Sequence, residues 1–490
     1  MVATSLLLST CSMGLDIYIA NHIGSEAIGL FGLIMVVYQF AMTIANSGIS
    51  LASTRIVAEE AAMSSAFSVF RAMKKCIFYS FLGGCLAGLL LCFFAPLACQ
   101  LVLHQQISPR VFYFLAISLH FSGVAIALMG YFTGIKRISR NSCYDIANFL
   151  FKLLGVWIGF TYFPVQSIEN ICCILGCAIS FSEICSFLLI LFLYRLEQKK
   201  IRKTQRSSAN YQRILKIALP VAVTSYLRSG LSTIKQSIIP VRLEKSGLSC
   251  QQALSQYGLV QGMVMPILMF PSVLVNSISL LMIPEFARYR MKQDWNRMRE
   301  IILLLFRCVI LFSFCIIGIF LLFPDQISFL TYHTFSLTPY LLLLAPLLFW
   351  MHLDHVIDAV LKGIDRQVGV MFCNIFDLFI SIFLLYILIP RFGMIGYIMV
   401  MYVSEILNFS ISCWQLYRAT HFRIDFLHTI LHPFTALWIT VLLFSSFSIL
   451  TQSFLSTIGW ILLFVMVYIG NYLILSFFLP NCSIFKKLKQ

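Results

Sequence analysis

Charge is what this chain of 490 residues has least of: Asp, Glu, Lys and Arg make up 11% of it, and only 19 are acidic against 35 basic. A soluble protein of this size covers itself with ionised side chains, so an ordinary water-facing surface is excluded. Also missing are a phosphate-cradling glycine loop, a Gly-x-Ser-x-Gly elbow and any polar insertion long enough to fold as a nucleotide-binding domain. Those absences argue against ATP hydrolysis by the chain itself, and against an enzyme more generally. There is no C-x-x-C pair and no Cys/His grouping with zinc spacing. Most of the 16 cysteines, among them Cys76, Cys85, Cys92, Cys172, Cys173, Cys177, Cys308 and Cys373, sit in apolar runs where they act as small hydrophobic residues. Neither a metal nor a cofactor is expected. Met1 leads straight into apolar sequence with no basic stretch before it, so a cleavable signal peptide is not expected either.

Apolar sequence fills the rest: 60% of residues are hydrophobic and the mean hydropathy is +0.90. Runs of about 20 residues, the length that crosses roughly 30 Å of hydrocarbon, follow one another with short polar joints. Fourteen are read, at 1–20, 28–54, 76–98, 111–134, 143–163, 170–194, 214–239, 257–284, 301–323, 338–360, 369–389, 394–417, 430–450 and 457–479. The fold class is therefore an all-α polytopic membrane protein.

The second half repeats the first. Asn46-Ser47-Gly48-Ile49-Ser50-Leu51 returns as Asn276-Ser277-Ile278-Ser279-Leu280, and Gly134-Ile135-Lys136-Arg137 as Gly363-Ile364-Asp365-Arg366. Phe31-Gly32 pairs with Tyr257-Gly258, Pro164 with Pro390, Ser182-Glu183-Ile184 with Ser404-Glu405-Ile406, and Tyr194-Arg195 with Tyr417-Arg418. Two pseudosymmetric six-helix lobes follow, 1–200 and 201–428, with two extra C-terminal helices and a basic tail in 429–490. Such a duplication is a mark of transporters built around a central site. By this alignment the first span begins several residues later than the seventh.

Basic residues sort by loop. The joints after even-numbered spans, with the tail, hold 26 of the 35; the opposite joints hold Arg110, Arg242, Lys245 and Arg391. Lys and Arg are retained on the cytoplasmic side, so both termini are read as cytoplasmic. The net charge of +16 then points to anionic membrane lipids as partners, with no nucleic acid and no nucleotide.

Charge at membrane depth is costly, about 3 kcal/mol per side chain on insertion scales, and so tends to face a cavity or a partner. Arg228 and Lys235 lie two turns apart in the seventh span with Thr224 and Ser232 on nearly the same stripe, and Lys152 and Arg55 add two more cations. A cavity lined in this way suits a pyrophosphate or another multiply anionic group; pairing with neighbouring acids is the plainer alternative. The acids Asp16, Glu183, Asp354, Asp358 and Glu405 are candidates for coupling or structural roles, as is Asp377. Glu183 and Glu405 share a register in the two repeats, which favours interhelical hydrogen bonding. His352 and His355 stand at i, i+3 and read as a hydrogen-bonded hinge rather than a metal site; Asp358 and Lys362 read as an i, i+4 ion pair. Pro220, Pro266, Pro271 and Pro346 lie inside spans and mark places for bends.

Particular stretches resemble a known group: Ile49–Glu60, Ile238–Ser249, Tyr257–Pro271 (Y-G-L-V-Q-G-M-V-M-P-I-L-M-F-P), Met282–Ala287 and Asp358–Gln367. They are similar to the stage V sporulation protein B and polysaccharide-flippase branch of the multidrug, oligosaccharidyl-lipid and polysaccharide exporter superfamily. The resemblance runs over nearly the whole chain. It implies two lobes, alternating access and movement of an undecaprenyl-pyrophosphate-linked sugar or peptidoglycan precursor across a bacterial cytoplasmic membrane, by a protein taken to be a monomer. Where the family pattern often has acids this chain has Lys235 and Asn148, and a basic residue expected near Asp16 is absent, which puts the family's ion pairs in doubt. A cation-coupled multidrug antiporter and a non-transporting scaffold for envelope assembly are the alternatives. An acid-lined cavity would favour the antiporter.

Overall fold

The computed structural model describes residues 2–63, 66–102, 107–163, 167–198, 211–422, 427–446 and 454–478. Pro164, most of the basic cluster at 199–210 and the basic tail lie outside them. The described chain falls into two compact units, one made of residues up to Asp16 with His22–Gly258, the other of Ile17–Asn21 with Leu259 onward.

The first unit holds α1 (Val2–Asn46), α2 (Ile49–Met63), α3 (Ala66–Leu101), α4 (Arg110–Gly134), α5 (Ser139–Tyr162), α6 (Ile168–Gln198), α7 (Tyr211–Glu244) and α8 (Cys250–Tyr257). Two helices meet within α1 at Gly24, whose φ of 78° is readily adopted only by glycine. Ser249 caps α8 by accepting from the Gln252 amide while the Gln252 side chain accepts from the Ser249 amide, a reciprocal box that fixes where the helix begins. The core lies among α2, α3, α4 and α6, where the rings of Phe70, Tyr131 and Tyr194 meet tilted or edge-on with centroids 5.0–5.8 Å apart.

The second unit continues through a π-helix (Gly258–Val264), α9 (Met265–Met269), α10 (Ser272–Met291), α11 (Trp295–Leu322), α12 (Pro324–Tyr332), α13 (Thr338–Leu344), α14 (Leu347–Gly363), α15 (Gln367–Thr420), a second π-helix (Leu427–Leu431), α16 (His432–Ser445) and α17 (Phe454–Phe478). Gly393, φ 56°, divides α15 as Gly24 divides α1. The chain bends by 56° between α9 and α10, at Pro271, and by 47° between α13 and α14, at Pro346. In both places the proline has no amide proton for the helical ladder, so the helix turns there. Pro220 sits inside an unbroken α7.

α16 and α17 pack on α11. The approach is close because Gly318 carries no side chain: a Cβ there would meet Leu437 at 2.6 Å and overlap the Phe464 ring. Tyr468 Oη donates to the Leu311 carbonyl 3.2 Å away.

Duplication is visible in each unit's own geometry. Gly134 lies against α2, where a Cβ would meet Thr54 O and Val57 Cβ at 2.9 Å; Gly363 lies against α10, where a Cβ would meet Phe286 Cβ at 2.6 Å and Ile283 O at 2.9 Å. Each of these residues has its counterpart 229 positions on. The turns that follow match too. Lys136 and Asp365 both adopt left-handed backbone, φ 61° and 65°, and the Arg137 and Arg366 amides each reach back 2.8 Å to the carbonyls of Phe132 and Leu361. That is the Schellman way of closing a helix. The Arg137 guanidinium then binds Glu197 at the end of α6, and Arg290 binds Asp365 at 3.3 Å. The π-helix falls where the repeat offset changes between the Tyr257-Gly258 match and the Asn276-Ser277 match, as residues inserted into a helix commonly produce.

Nine helices among the described residues are long and apolar enough to cross a membrane, or up to eleven if each bent pair is one span. That count treats α1–α2 and α15 as single helices across Gly24 and Gly393 and leaves out the short α16; it is lower than the fourteen read from hydropathy.

Candidate functional site

α7 has three distinct faces. On the first, Tyr226 Oη donates to the Ile44 carbonyl at 3.2 Å, Thr233 Oγ1 to the Val36 carbonyl at 3.4 Å, and the hydroxyls of Ser229 and Thr43 are 3.0 Å apart. Gly230 lets the Phe40 ring lie against the helix. The second face is exposed and apolar, with Val223, Leu227 and Ile234. The third carries Thr224, Arg228, Ser232 and Lys235. At 100° per residue, this polar face is centred about 155° from the packed face and about 115° from the apolar one. Arg228 is exposed and Lys235 half-buried. So the two cations of α7 are directed neither at α1 nor along the greasy side of their own helix.

Arg55 is exposed and pairs with Glu59 one turn on, 2.9 Å away. Such a pair at a helix surface contributes only about 0.3–0.5 kcal/mol, so it leaves the guanidinium available to other partners. Lys152 is half-buried on α5, and Asp16 of α1 is within its electrostatic reach.

One turn and two turns before Lys152, on the same face of α5, stand Asn148 and Tyr144. Both donate to Glu183 of α6, from Tyr144 Oη to Oε2 and from Asn148 Nδ2 to Oε1, each at 3.0 Å. Each carboxylate oxygen thereby accepts a hydrogen bond across a helix pair. The second unit has a seam at the corresponding place. Asp377 of α15 accepts from Ser404 at 2.6 Å, Ser381 donates to Ser404 at 3.0 Å, and Cys373 Sγ lies 3.0 Å from Asn408 Oδ1. Asn408 in turn donates to Asp354 Oδ2 at 2.9 Å. By the repeat offset of 229, Tyr144 and Asn148 correspond to Cys373 and Asp377, and Ser182 pairs with Ser404. Here the acid that accepts is Asp377, at the position of Asn148, while Glu405 keeps the register of Glu183. Glu405 lies near enough to Asp354 to act on it electrostatically, and Asp358 binds Lys362 at 3.2 Å.

His352 of α14 is buried, with Ser272 Oγ 2.9 Å from Nε2 and Ser313 Oγ 2.9 Å from Nδ1. The Ser313 hydroxyl has one proton, and it goes to the Val309 carbonyl at 2.6 Å. Ser313 must therefore accept from Nδ1–H, leaving Nε2 to accept from Ser272. The imidazole is a neutral tie between α10, α11 and α14. His355 does not join it in a metal cluster: among the described residues no group of three or more His, Cys, Asp or Glu side chains could hold a metal ion. Sequence reasoning did not single out Tyr144, Ser272, Ser313 or Asn408, because hydroxyl and amide side chains are common in this chain and only the folded partners distinguish them.

Long apolar helices bent at prolines, with polar side chains tied to one another inside the bundle, define the class: a polytopic α-helical membrane protein. The profile described as "Polysaccharide biosynthesis protein" matches residues 3–290, more than half of the chain, and the chain belongs to that family. Among curated proteins it is 20% identical over 391 residues to stage V sporulation protein B of Bacillus subtilis (strain 168), covering 78% of this chain and 75% of that one. It is also 20% identical over 303 residues to sporulation protein YkvU of the same organism, covering 59% and 66%. Among solved structures, lipid II flippase MurJ in an inward closed conformation superposes with a TM-score of 0.70 at 15% identity over 99% of this chain and 98% of that one. An inward-facing multidrug resistance MATE family transporter superposes with a TM-score of 0.60 at 14% identity over 84% and 95%. At such identities the superpositions establish the fold, and they agree with the resemblance read from the motifs.

Proposed function

We propose that the protein moves a lipid-linked oligosaccharide, an undecaprenyl-pyrophosphate-linked sugar chain or peptidoglycan precursor, across a bacterial cytoplasmic membrane by alternating access, in cell-envelope or spore-cortex synthesis. The observation that carries this reading is the third face of α7. Arg228, Lys235, Thr224 and Ser232 offer two basic side chains and two hydroxyls to a group bearing several negative charges. Lys152 and Arg55 are the next cations the same anion would meet. Membership in a polysaccharide biosynthesis family and the names of the relatives above, a sporulation protein and a lipid II flippase, support the same reading. Counting α1 and α15 as two crossings each at their glycine breaks, each bent pair as one, and α16 as a short one, the chain crosses fourteen times with both termini on the cytoplasmic side. The basic corners at Lys136–Arg140 and Arg288–Lys292 then face anionic lipid.

The test is leaflet-to-leaflet movement of a fluorescent undecaprenyl-pyrophosphate saccharide by purified protein in liposomes. Each of Arg228→Gln and Lys235→Gln is expected to slow it about 10- to 100-fold, the effect of losing one hydrogen bond to a charged group. No movement by the unaltered protein, with proton-dependent export of ethidium, would establish the antiporter instead. Movement indifferent to both substitutions would remove the α7 face from the site.

A further inference from the structure

A second feature of the first unit lies outside the cationic face. Between α4, α5 and α6 is an open cavity of about 500 Å³ whose walls include Phe114, Gly155, Gly159, Cys173, Cys177 and Phe181. Gly155 and Gly159, four residues apart on α5, let α6 close one side of it by direct backbone approach: a Cβ at Gly155 would meet the Ala178 Cα at 3.1 Å, and one at Gly159 would overlap Ile174. Cys177 and Phe181 are exposed at the mouth. All three helices are long and apolar enough to cross a membrane, so hydrocarbon, not water, is the phase that meets this opening.

Dimension and charge select the occupant. From Asn170 to Phe181 the α6 wall runs eleven residues, about 16 Å, which is half of a hydrocarbon core of roughly 30 Å. At about 500 Å³, the cavity suits a single slender chain. One leaflet deep and one acyl chain in volume, it is too small for an undecaprenyl tail. The polar end is marked by Asn170 in the wall and by Arg110 and Glu169, both close enough to Cys173 to act on it electrostatically. Arg110 is one of the four basic residues on the joints that otherwise lack them. We infer that this groove binds one acyl chain of an anionic phospholipid in the leaflet opposite the basic loops, its phosphate beside Arg110. The site would be occupied whatever the protein carries, as a fixed lipid wedge holding α5 against α4 and α6.

The full-length protein in vesicles containing phosphatidylglycerol with a diazirine in its acyl chain would be irradiated and its adducts mapped by mass spectrometry. Adducts should concentrate on the 155–163 and 173–181 segments over the exposed apolar face of α3. Cys177→Trp, which fills the mouth from an exposed position, should reduce them about tenfold while Cys177→Ala does not. Arg110→Gln should lower capture of the anionic probe and leave that of a phosphatidylcholine probe unchanged. Labelling spread evenly over α3 and the groove, labelling that survives Cys177→Trp, or displacement of the probe by stoichiometric undecaprenyl phosphate would each overturn the assignment.

Discussion

Gly29 and Gly258 cross where the first turns after Gly24 meet the end of α8, and the hydroxyls of Ser25 and Ser255 join there at 2.8 Å. The contacting pairs are separated by 230 and 229 residues, within about one helical turn of the offset that pairs Gly32 with Gly258, so each helix meets its own counterpart. Gly258→Ala tests whether this contact is one that opens. The added Cβ would stand 2.6 Å from the Gly29 amide nitrogen, 2.9 Å from its Cα, and closer still to the Ser25 carbonyl oxygen. Three backbone atoms cannot swing aside as a side chain can, so the helices must part by about 1 Å or the closed arrangement must bear the overlap. Overpacking of this kind costs about 1–3 kcal/mol. If closed and parted forms exchange, that multiplies the parted-to-closed ratio about 5- to 150-fold. The assay is the rate at which a membrane-impermeant maleimide modifies Ser25→Cys, read at that peptide by mass spectrometry, with and without Gly258→Ala. Faster modification in the double variant is expected. Equal rates, with the protein still folded, would refute the idea that this crossing opens.

Glu183→Ala removes two interhelical hydrogen bonds, each worth about 0.6–1.7 kcal/mol in a membrane bundle; a fall of several degrees in the melting temperature of detergent-solubilised protein is expected, and little or no fall would mean the α5–α6 seam is slack. His352→Ala should leave Ser272 without its acceptor while Ser313 keeps its bond to Val309. In a double-mutant cycle His352 should therefore couple more strongly to Ser272→Ala than to Ser313→Ala, by about 1 kcal/mol, and the reverse order would refute the tautomer assigned above.

Much of the helical layout was legible because hydropathy reports the solvent of each segment directly. Pro271 and Pro346 named their bends for a covalent reason, the missing amide proton, that no tertiary contact can undo. Pro220 shows the limit: a helix keeps going past a proline when neither half has cause to change direction. The turns after Gly134 and Gly363 could be matched because a left-handed residue after a helix-ending glycine is a local demand. Partners were another matter. That Glu183 would take Asn148 and Tyr144, or that His352 would be held between two serines, depends on which helix lies alongside, and pattern within one helix carries no such information. The cations of α7 were visible as a stripe from spacing alone, but separating that stripe from the helix's apolar side needed to be measured against Ile44, Val36 and Thr43 on the facing helix.

Lys136 and Asp365 stand at one corner built twice, with left-handed backbone in both and opposite signs of charge. A corner that asks only for a tolerable backbone leaves its side chain free to drift, and one copy has drifted into a bridge to Arg290 that the other does not share. Grafting 134–139 onto 363–368 would accordingly preserve the bend yet sever that bridge. Having arisen twice in one polypeptide, such a joint can be retuned in one place while its twin keeps the ancestral shape, which lets a symmetric scaffold acquire unequal halves.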